Sequence, residues 1–215
     1  MQFGTSMEGK WLPETLLPGF KDASLLFMKK CQSLSEKLML CFARALGFPD
    51  DYFTKTHDIT RPESQTVLRL LHYFPLDPSL PVPSNYHRAG AHVDWDSLTL
   101  LFQRPFQSGL EICPGREVST AFGIGDVWTK VEPVEGEIVW NAGDLLMRWS
   151  DDRFRSAFHR VSTPEGEGDW WGGRFSMEFL ISRVWIVRFG GRGGGIRWLL
   201  EGSLRGGRWR GILGR

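Results

Sequence analysis

The chain has 215 residues, a formal net charge of +1, and 41% hydrophobic and 13% aromatic residues. That length can bury a sizeable core as one domain, and a charge so near zero argues against a nucleic-acid or membrane-surface partner. No apolar run approaches the ~20 residues of a membrane span, and Met1–Ser6 lacks the basic-then-apolar order of a secretory signal. In chain order, the first predicted element is a helix. Asp22 is its expected N-cap, and Leu25, Met28, Leu34, Leu38, Phe42 and Leu46 recur at helical spacing, which predicts an amphipathic helix packed on a sheet. Gly47-Phe48-Pro49 ends it, and a short helical turn is expected over Pro49–Phe53. Cys31 and Cys41 would lie about 15 Å apart along this helix at its rise per residue, too far for a disulfide. With Cys113 the cysteine count is odd, which points to a reducing compartment, most simply the cytosol.

After Pro62 the pattern changes. Thr66–Phe74 is rich in strand formers, and Leu76–Asn85, with three prolines and Pro75 just before it, reads as loop. Ser97–Gln103 and Gly109–Cys113 read as strands. Val127–Val131 and Glu137–Trp140 are expected to pair around Glu135-Gly136. Asn141-Ala142-Gly143-Asp144 reads as a tight turn, and Ser156–Ser162 and Arg174–Ile181 complete the strands. Many short strands with Gly/Pro turns predict a mainly β fold with some α, a sandwich or jelly roll. From Arg188 to Arg215 the chain is dominated by Gly and Arg, with Trp198 and Trp209 interspersed. Its Gly190–Gly195 run disfavours regular structure. Three readings fit this tail: a disordered segment, an RNA-contacting Arg/aromatic segment, and a mistranslated or mispredicted gene end. The abrupt change after an orderly strand favours the last.

The chemistry is carried by His92-Val93-Asp94, His159-Arg160-Val161 and Arg174-Phe175-Ser176. Side chains two apart on an extended segment share a face, so His92 and Asp94 can reach one ion, and His159 supplies a second imidazole. Two imidazoles and one carboxylate on one face of a metal, with the other positions open, mark non-haem Fe(II) oxygenases. Arg174 and Ser176 also share a face and can offer a guanidinium fork and a hydroxyl to one carboxylate.

In this order the motifs resemble the 2-oxoglutarate/Fe(II)-dependent dioxygenases of the isopenicillin N synthase-like family. The likeness runs from Asp22 to Ile181. It includes Leu68–Pro75, Ser97–Gln103, Gly109–Ile112, Asn141–Leu146, Trp149-Ser150 and Ser156–Val161 beside the three motifs above. It implies a double-stranded β-helix, a cupin-like jelly-roll barrel with an N-terminal supporting helix. It implies His92, Asp94 and His159 as Fe(II) ligands, Arg174 and Ser176 on the distal carboxylate of 2-oxoglutarate, and Tyr73 reaching the same co-substrate. Asp144 would be structural. The implied activity oxidises a small organic substrate with dioxygen, by hydroxylation, desaturation or cyclisation, and releases succinate and carbon dioxide. The implied organisation is a partial N-terminal helical region at 1–62, the oxygenase core at 63–187 and a disordered Gly/Arg-rich tail at 188–215. No nucleic acid or membrane is expected as partner, and a cytoplasmic monomer is. Against the family the chain looks shortened or altered at both ends, so a catalytically impaired metal-binding fragment is the alternative. An oxidase of the family that dispenses with 2-oxoglutarate is disfavoured by Arg174 and Ser176.

Other side chains compete. Asp96 is a rival carboxylate or a residue of the site's mouth. His57 and His87 read as solvated surface and His72 as a hydrogen-bonded core residue. Asp151, Asp152, Arg153 and Arg155 read as a charged turn outside the barrel. Trp95 is a candidate substrate contact, and Trp170-Trp171-Gly172-Gly173 a lid or an exposed insertion.

Overall fold

The computed structural model describes residues 2–4, 11–61, 64–83, 86–114, 127–182, 199–204 and 207–212. Helix α1 spans Phe20–Leu46 and buries Met28, Cys31, Met39, Phe42, Ala43 and Leu46 along one stripe, as the periodicity predicts. It begins earlier than Asp22, which sits within the first turn. The cap position is Gly19, whose left-handed backbone (φ 73°) turns the chain in from Pro13–Leu17 and whose N–H donates to the Glu14 carboxylate at 2.8 Å. Gly47, also at φ 73°, closes the other end, with Phe48 N–H bonded back to Ala43 O at 2.8 Å. The turn expected over Pro49–Phe53 is followed by a 3₁₀ turn at Thr54–Thr56.

The strands are β1 (Gln2–Gly4), β2 (Val67–Tyr73), β3 (Ala89–His92), β4 (Leu98–Gln103), β5 (Leu110–Ile112), β6 (Thr129–Lys130), β7 (Val139–Ala142), β8 (His159–Val161) and β9 (Arg174–Ile181). They form a five-stranded sheet in the order β1-β2-β9-β4-β7 and a four-stranded sheet in the order β3-β8-β5-β6, and every pairing is antiparallel. This is the expected jelly-roll layering, with α1 outside the larger sheet. Among the described residues the sheets face each other without joining into a closed barrel.

Alternation along the strands assigns the two faces of the larger sheet. Leu68, Leu98, Leu100, Phe179 and Ile181 face α1 and form the main core with Phe42, Phe53 and Leu146. The intervening Arg69, Leu71, Tyr73, Thr99, Leu101, Arg174, Ser176 and Glu178 face the smaller sheet and line a cavity between the two.

Two local expectations are corrected. Val127–Val131 and Glu137–Trp140 do not pair, because β6 joins β5 in the smaller sheet while β7 joins β4 in the larger one. Their intervening residues therefore cross between sheets. Asn141–Asp144 is the end of β7 followed by the start of a short helix, α2 (Asp144–Trp149). The first amides of that segment are satisfied by the β3–β4 connection: Gly143 N–H bonds Ser97 O at 3.2 Å, Asp144 N–H bonds Asp94 O at 2.8 Å, and Leu145 N–H bonds Asp96 O at 3.1 Å. A Cβ at Gly143 would collide with the Asp96 and Asp94 carbonyl oxygens, so only glycine permits this approach.

In the Gly/Arg-rich tail, Leu199–Leu204 (β10) and Gly207–Ile212 (β11) pair as a two-stranded antiparallel ribbon where composition predicted no regular structure. The glycine run at Gly190–Gly195 lies outside the described residues. No helix among the described residues is long and apolar enough to cross a membrane.

Candidate metal and co-substrate site

His92 ends β3 and His159 begins β8, and the strand register sets them directly opposite each other. Their rings are 4.3 Å apart. Asp94 follows in the connection that the α2 amides hold. Its Oδ1 lies 3.8 Å from His92 Nε2 and 3.9 Å from His159 Nε2, and the three donor atoms lie within 4.8 Å of one another. Ligands on one face of a metal with bonds of ~2.1 Å stand ~3 Å apart, so a contraction of about one to two ångströms closes the set.

The hydrogen bonds around these donors suit a cation. His92 Nδ1 is 2.7 Å from Gly90 O and His159 Nδ1 is 2.8 Å from Ala157 O. Each carbonyl requires the proton on Nδ1, which leaves the Nε2 lone pairs facing Asp94. Asp94 Oδ2 accepts from Thr99 Oγ1 at 2.6 Å and Asn141 Nδ2 at 2.7 Å, leaving Oδ1 for the ion. Burial pushes the Asp94 carboxyl up, but His159, the Thr99 and Asn141 hydrogen bonds and His92 together outweigh it, so its net shift is downward. Burial lowers the His159 pKa, a shift toward the neutral imidazole that ligation requires.

A second cluster lines the same cavity. Register sets Tyr73 opposite Arg174 on adjacent strands, with Ser176 two residues along the same face. Arg174 is only 1% exposed, and among the described residues it has no carboxylate partner. One terminal nitrogen donates to Gln103 Oε1 at 2.7 Å, the other lies 3.4 Å from Ser176 Oγ, and Nε has no partner among the described residues. The guanidinium carbon is 5.0 Å from the Tyr73 ring centroid. Burial lowers the Arg174 pKa and raises that of Tyr73. A cation buried without a counter-ion is costly, so this corner has the chemistry to receive an anion. The two clusters share a cavity of about 830 Å³.

The six residues singled out from sequence thus converge on one cavity, whereas several rivals do not. Asp96 is buried beside Thr99, its carboxyl pushed well up by burial and by Asp94, and it is neither in the donor cluster nor at the mouth. His57 is fully buried rather than solvated, with Nδ1 2.7 Å from Phe53 O and Nε2 2.7 Å from Ser97 Oγ. His72 is exposed rather than core, because alternation turns it outward, where it stacks on Phe175 at 4.2 Å. His87 is half-buried, 3.5 Å from Arg160. Trp95 is 87% exposed and away from the cavity lining. Trp170–Gly173 is fastened to the body, since Trp171 O accepts from Leu76 N–H and from Arg88, and Gly172 O accepts from Arg88. Arg153 and Arg155, expected outside, line the cavity. Sequence reasoning passed over Thr99, Asn141, Arg69, Arg88 and Glu178. The alternation that selected Arg174 and Ser176 also puts Glu178 on their face, and Arg69 stands opposite it with a 3.3 Å ion pair.

Residues 64–183 match the family model of the 2OG-Fe(II) oxygenase superfamily. The chain belongs to this superfamily. The matched region contains every candidate ligand from Tyr73 to Ser176. Over 182 residues this superfamily member is 37% identical to the 2-oxoglutarate-dependent dioxygenase htyE of Aspergillus rugulosus, covering 84% of this chain and 50% of that protein. It is 36% identical over 160 residues to the proline hydroxylase buaE of Petromyces alliaceus, covering 73% and 45%. Its fold is similar to that of a full-length Neurospora crassa protein crystallised in complex with alpha-KG and thymine, with a TM-score of 0.70 and 30% identity over 85% of this chain and 53% of that one. The chain spans about half the length of the curated relatives it matches.

Proposed function

We propose that this protein is a non-haem Fe(II), 2-oxoglutarate-dependent oxygenase that oxidises a small organic substrate. The observation that carries the proposal is the opening of two complementary sites into one cavity: a His-Asp-His donor set and a buried guanidinium without a counter-ion. In this reading His92 Nε2, His159 Nε2 and Asp94 Oδ1 hold the iron. Arg174, with Ser176 and Tyr73, binds the distal carboxylate of 2-oxoglutarate. Iron with 2-oxoglutarate supplies the oxidising chemistry, which consumes dioxygen and releases succinate and carbon dioxide. The protein contributes orientation and exclusion of water. Thr99 and Asn141 keep Asp94 presenting one oxygen, and the apolar lining from Leu71, Leu101, Leu110 and Val161 keeps the cavity dry.

Several finer assignments belong to the same proposal. The isopenicillin N synthase-like branch is supported by the order of the motifs. The division at 62/63 and 187/188 is supported by the span of the family match. A cytoplasmic monomer without a nucleic-acid partner is supported by three free cysteines and a net charge of +1.

Anaerobic addition of 2-oxoglutarate to the Fe(II)-loaded chain tests the reading. A weak visible charge-transfer band, followed by succinate release when oxygen is admitted, is the expected result. Absence of the band in folded protein refutes 2-oxoglutarate use, and a band without succinate identifies an impaired metal-binding chain.

A further inference from the structure

The cavity carries more positive charge than the proposed chemistry uses. Among the described residues its lining includes the guanidinium groups of Arg69, Arg88, Arg153, Arg155 and Arg174 against two carboxylates, Asp94 and Glu178. Arg69 and Glu178 neutralise each other across β2 and β9 at 3.3 Å. Iron, Asp94, 2-oxoglutarate and Arg174 together sum to zero, and the imidazoles are neutral as ligands. Arg88, Arg153 and Arg155 remain, and of these Arg155 is engaged by contacts of its own. Arg88 spends one terminal nitrogen on the carbonyl oxygens of Trp171 and Gly172, at 3.3 and 3.0 Å. Those contacts position the guanidinium without cancelling its charge. Its Nε is buried without a partner among the described residues. Arg153 has no ion pair among the described residues, although Asp151 and Asp152 precede it. Both aspartates have positive φ (56° and 59°), a tight turn that carries the chain on to the lining residues Arg153–Arg155.

The remainder of the lining is largely apolar, with Leu110, Ile112, Val131, Val139, Phe154 and Val161 facing the space. The volume of about 830 Å³ falls within the ~300–1,000 Å³ of small-molecule sites. Half-buried Arg88, and Arg153 where the lining meets solvent, favour an anionic ligand over its neutral isostere.

We propose that the substrate class is the small amphipathic anion, a carboxylate on an apolar body, its charge met by the surplus cations Arg88 and Arg153 and its body by the aliphatic wall. This rests on the oxygenase reading above, since the charge count assumes iron and 2-oxoglutarate in place.

The test is calorimetric titration of the full chain, saturated anaerobically with Fe(II) and 2-oxoglutarate, with hexanoate and with its isostere hexanamide. Hexanoate binds at least ten-fold tighter than hexanamide, with the 2-oxoglutarate band retained and the preference weakened by salt. In Arg153→Gln, and separately in Arg88→Gln, the acid-over-amide preference falls several-fold. The midpoint of the 2-oxoglutarate titration serves as the folding check, and the exposed Arg153 keeps the test decisive if Arg88→Gln unfolds. Equal binding of acid and amide, failure of both to bind, displacement of 2-oxoglutarate by hexanoate, or an unchanged preference in Arg153→Gln overturns the substrate class while the oxygenase reading stands. Failure to form the 2-oxoglutarate band overturns both.

Discussion

Asp94 has one oxygen to give to a metal because its neighbours occupy the other. Thr99 on β4 and Asn141 on β7 are cross-strand partners, and both donate to Oδ2, at 2.6 and 2.7 Å. Replacing Asn141 with Leu removes one of these bonds and frees the carboxylate to rotate Oδ1 away from the two Nε2 atoms. A hydrogen bond to a charged acceptor contributes ~1.5–3 kcal/mol. At ~1.4 kcal/mol per decade this corresponds to a ten- to hundred-fold loss of Fe(II) affinity, the range typical of residues that orient metal ligands. Thr99→Val, which removes the shorter bond, should reach the upper end. Both hydrogen bonds also hold the Asp94 pKa down, so the variants should require higher pH for half-maximal metal binding. Anaerobic competition against a chromophoric chelator, at several pH values, measures both effects, with the urea midpoint as the check on folding. If folded protein carrying both Asn141→Leu and Thr99→Val binds Fe(II) as tightly as the parent, with the same pH dependence, the positioning argument is wrong.

Other outcomes follow from the same geometry. His159→Ala should abolish specific Fe(II) binding while leaving the fold in place, read by the chelator assay and circular dichroism. Arg174→Lys keeps the charge but loses the planar fork, so 2-oxoglutarate affinity should drop at least ten-fold in band titrations with metal affinity unchanged. His57→Phe leaves the buried Ser97 Oγ without its partner, while Phe53 O keeps Thr56, and should cost ~1–3 kcal/mol in urea unfolding. Asp169 is held down to about 2 by its hydrogen bond from Lys130 at 2.7 Å and by the Glu165 and Gly166 amides. The folded state therefore binds this proton less readily than the unfolded chain. The stabilisation is present above the ordinary aspartate range, at ~3.9, and fades as pH falls toward 2. Asp169→Asn should flatten that acid-side decline in urea midpoints measured between pH 5 and 2.

The chemistry was more legible in the sequence than its supports. His92, Asp94, His159, Arg174 and Ser176 are residue types with few alternatives, and short spacings place two pairs of them on common faces. Strand β9 was readable to the residue because polar and apolar positions alternate from Arg174 through Phe179. Pairing across long separations was not readable. Nothing local tells Val127–Val131 to join Gly109–Cys113 rather than Glu137–Trp140. Histidine environments failed for the same reason. His57 looks like a loop residue until Ser97, distant in sequence, is brought within 2.7 Å. His72 looks like core until strand alternation turns it outward. The start of α2 was hidden because Asn-Ala-Gly-Asp has turn composition, and its helix is satisfied by carbonyls from another part of the chain.

Strand β9 keeps reactivity and cohesion on opposite sides. Arg174, Ser176 and Glu178 face the cavity, while Phe179 and Ile181 face the helix. Adaptation to a new ligand can therefore proceed by changing every second letter of the strand while the hydrophobic set stays intact. Inserting or deleting a single residue has the opposite character: it exchanges the two sets at a stroke, driving charge against α1 and emptying the cavity of its buried guanidinium.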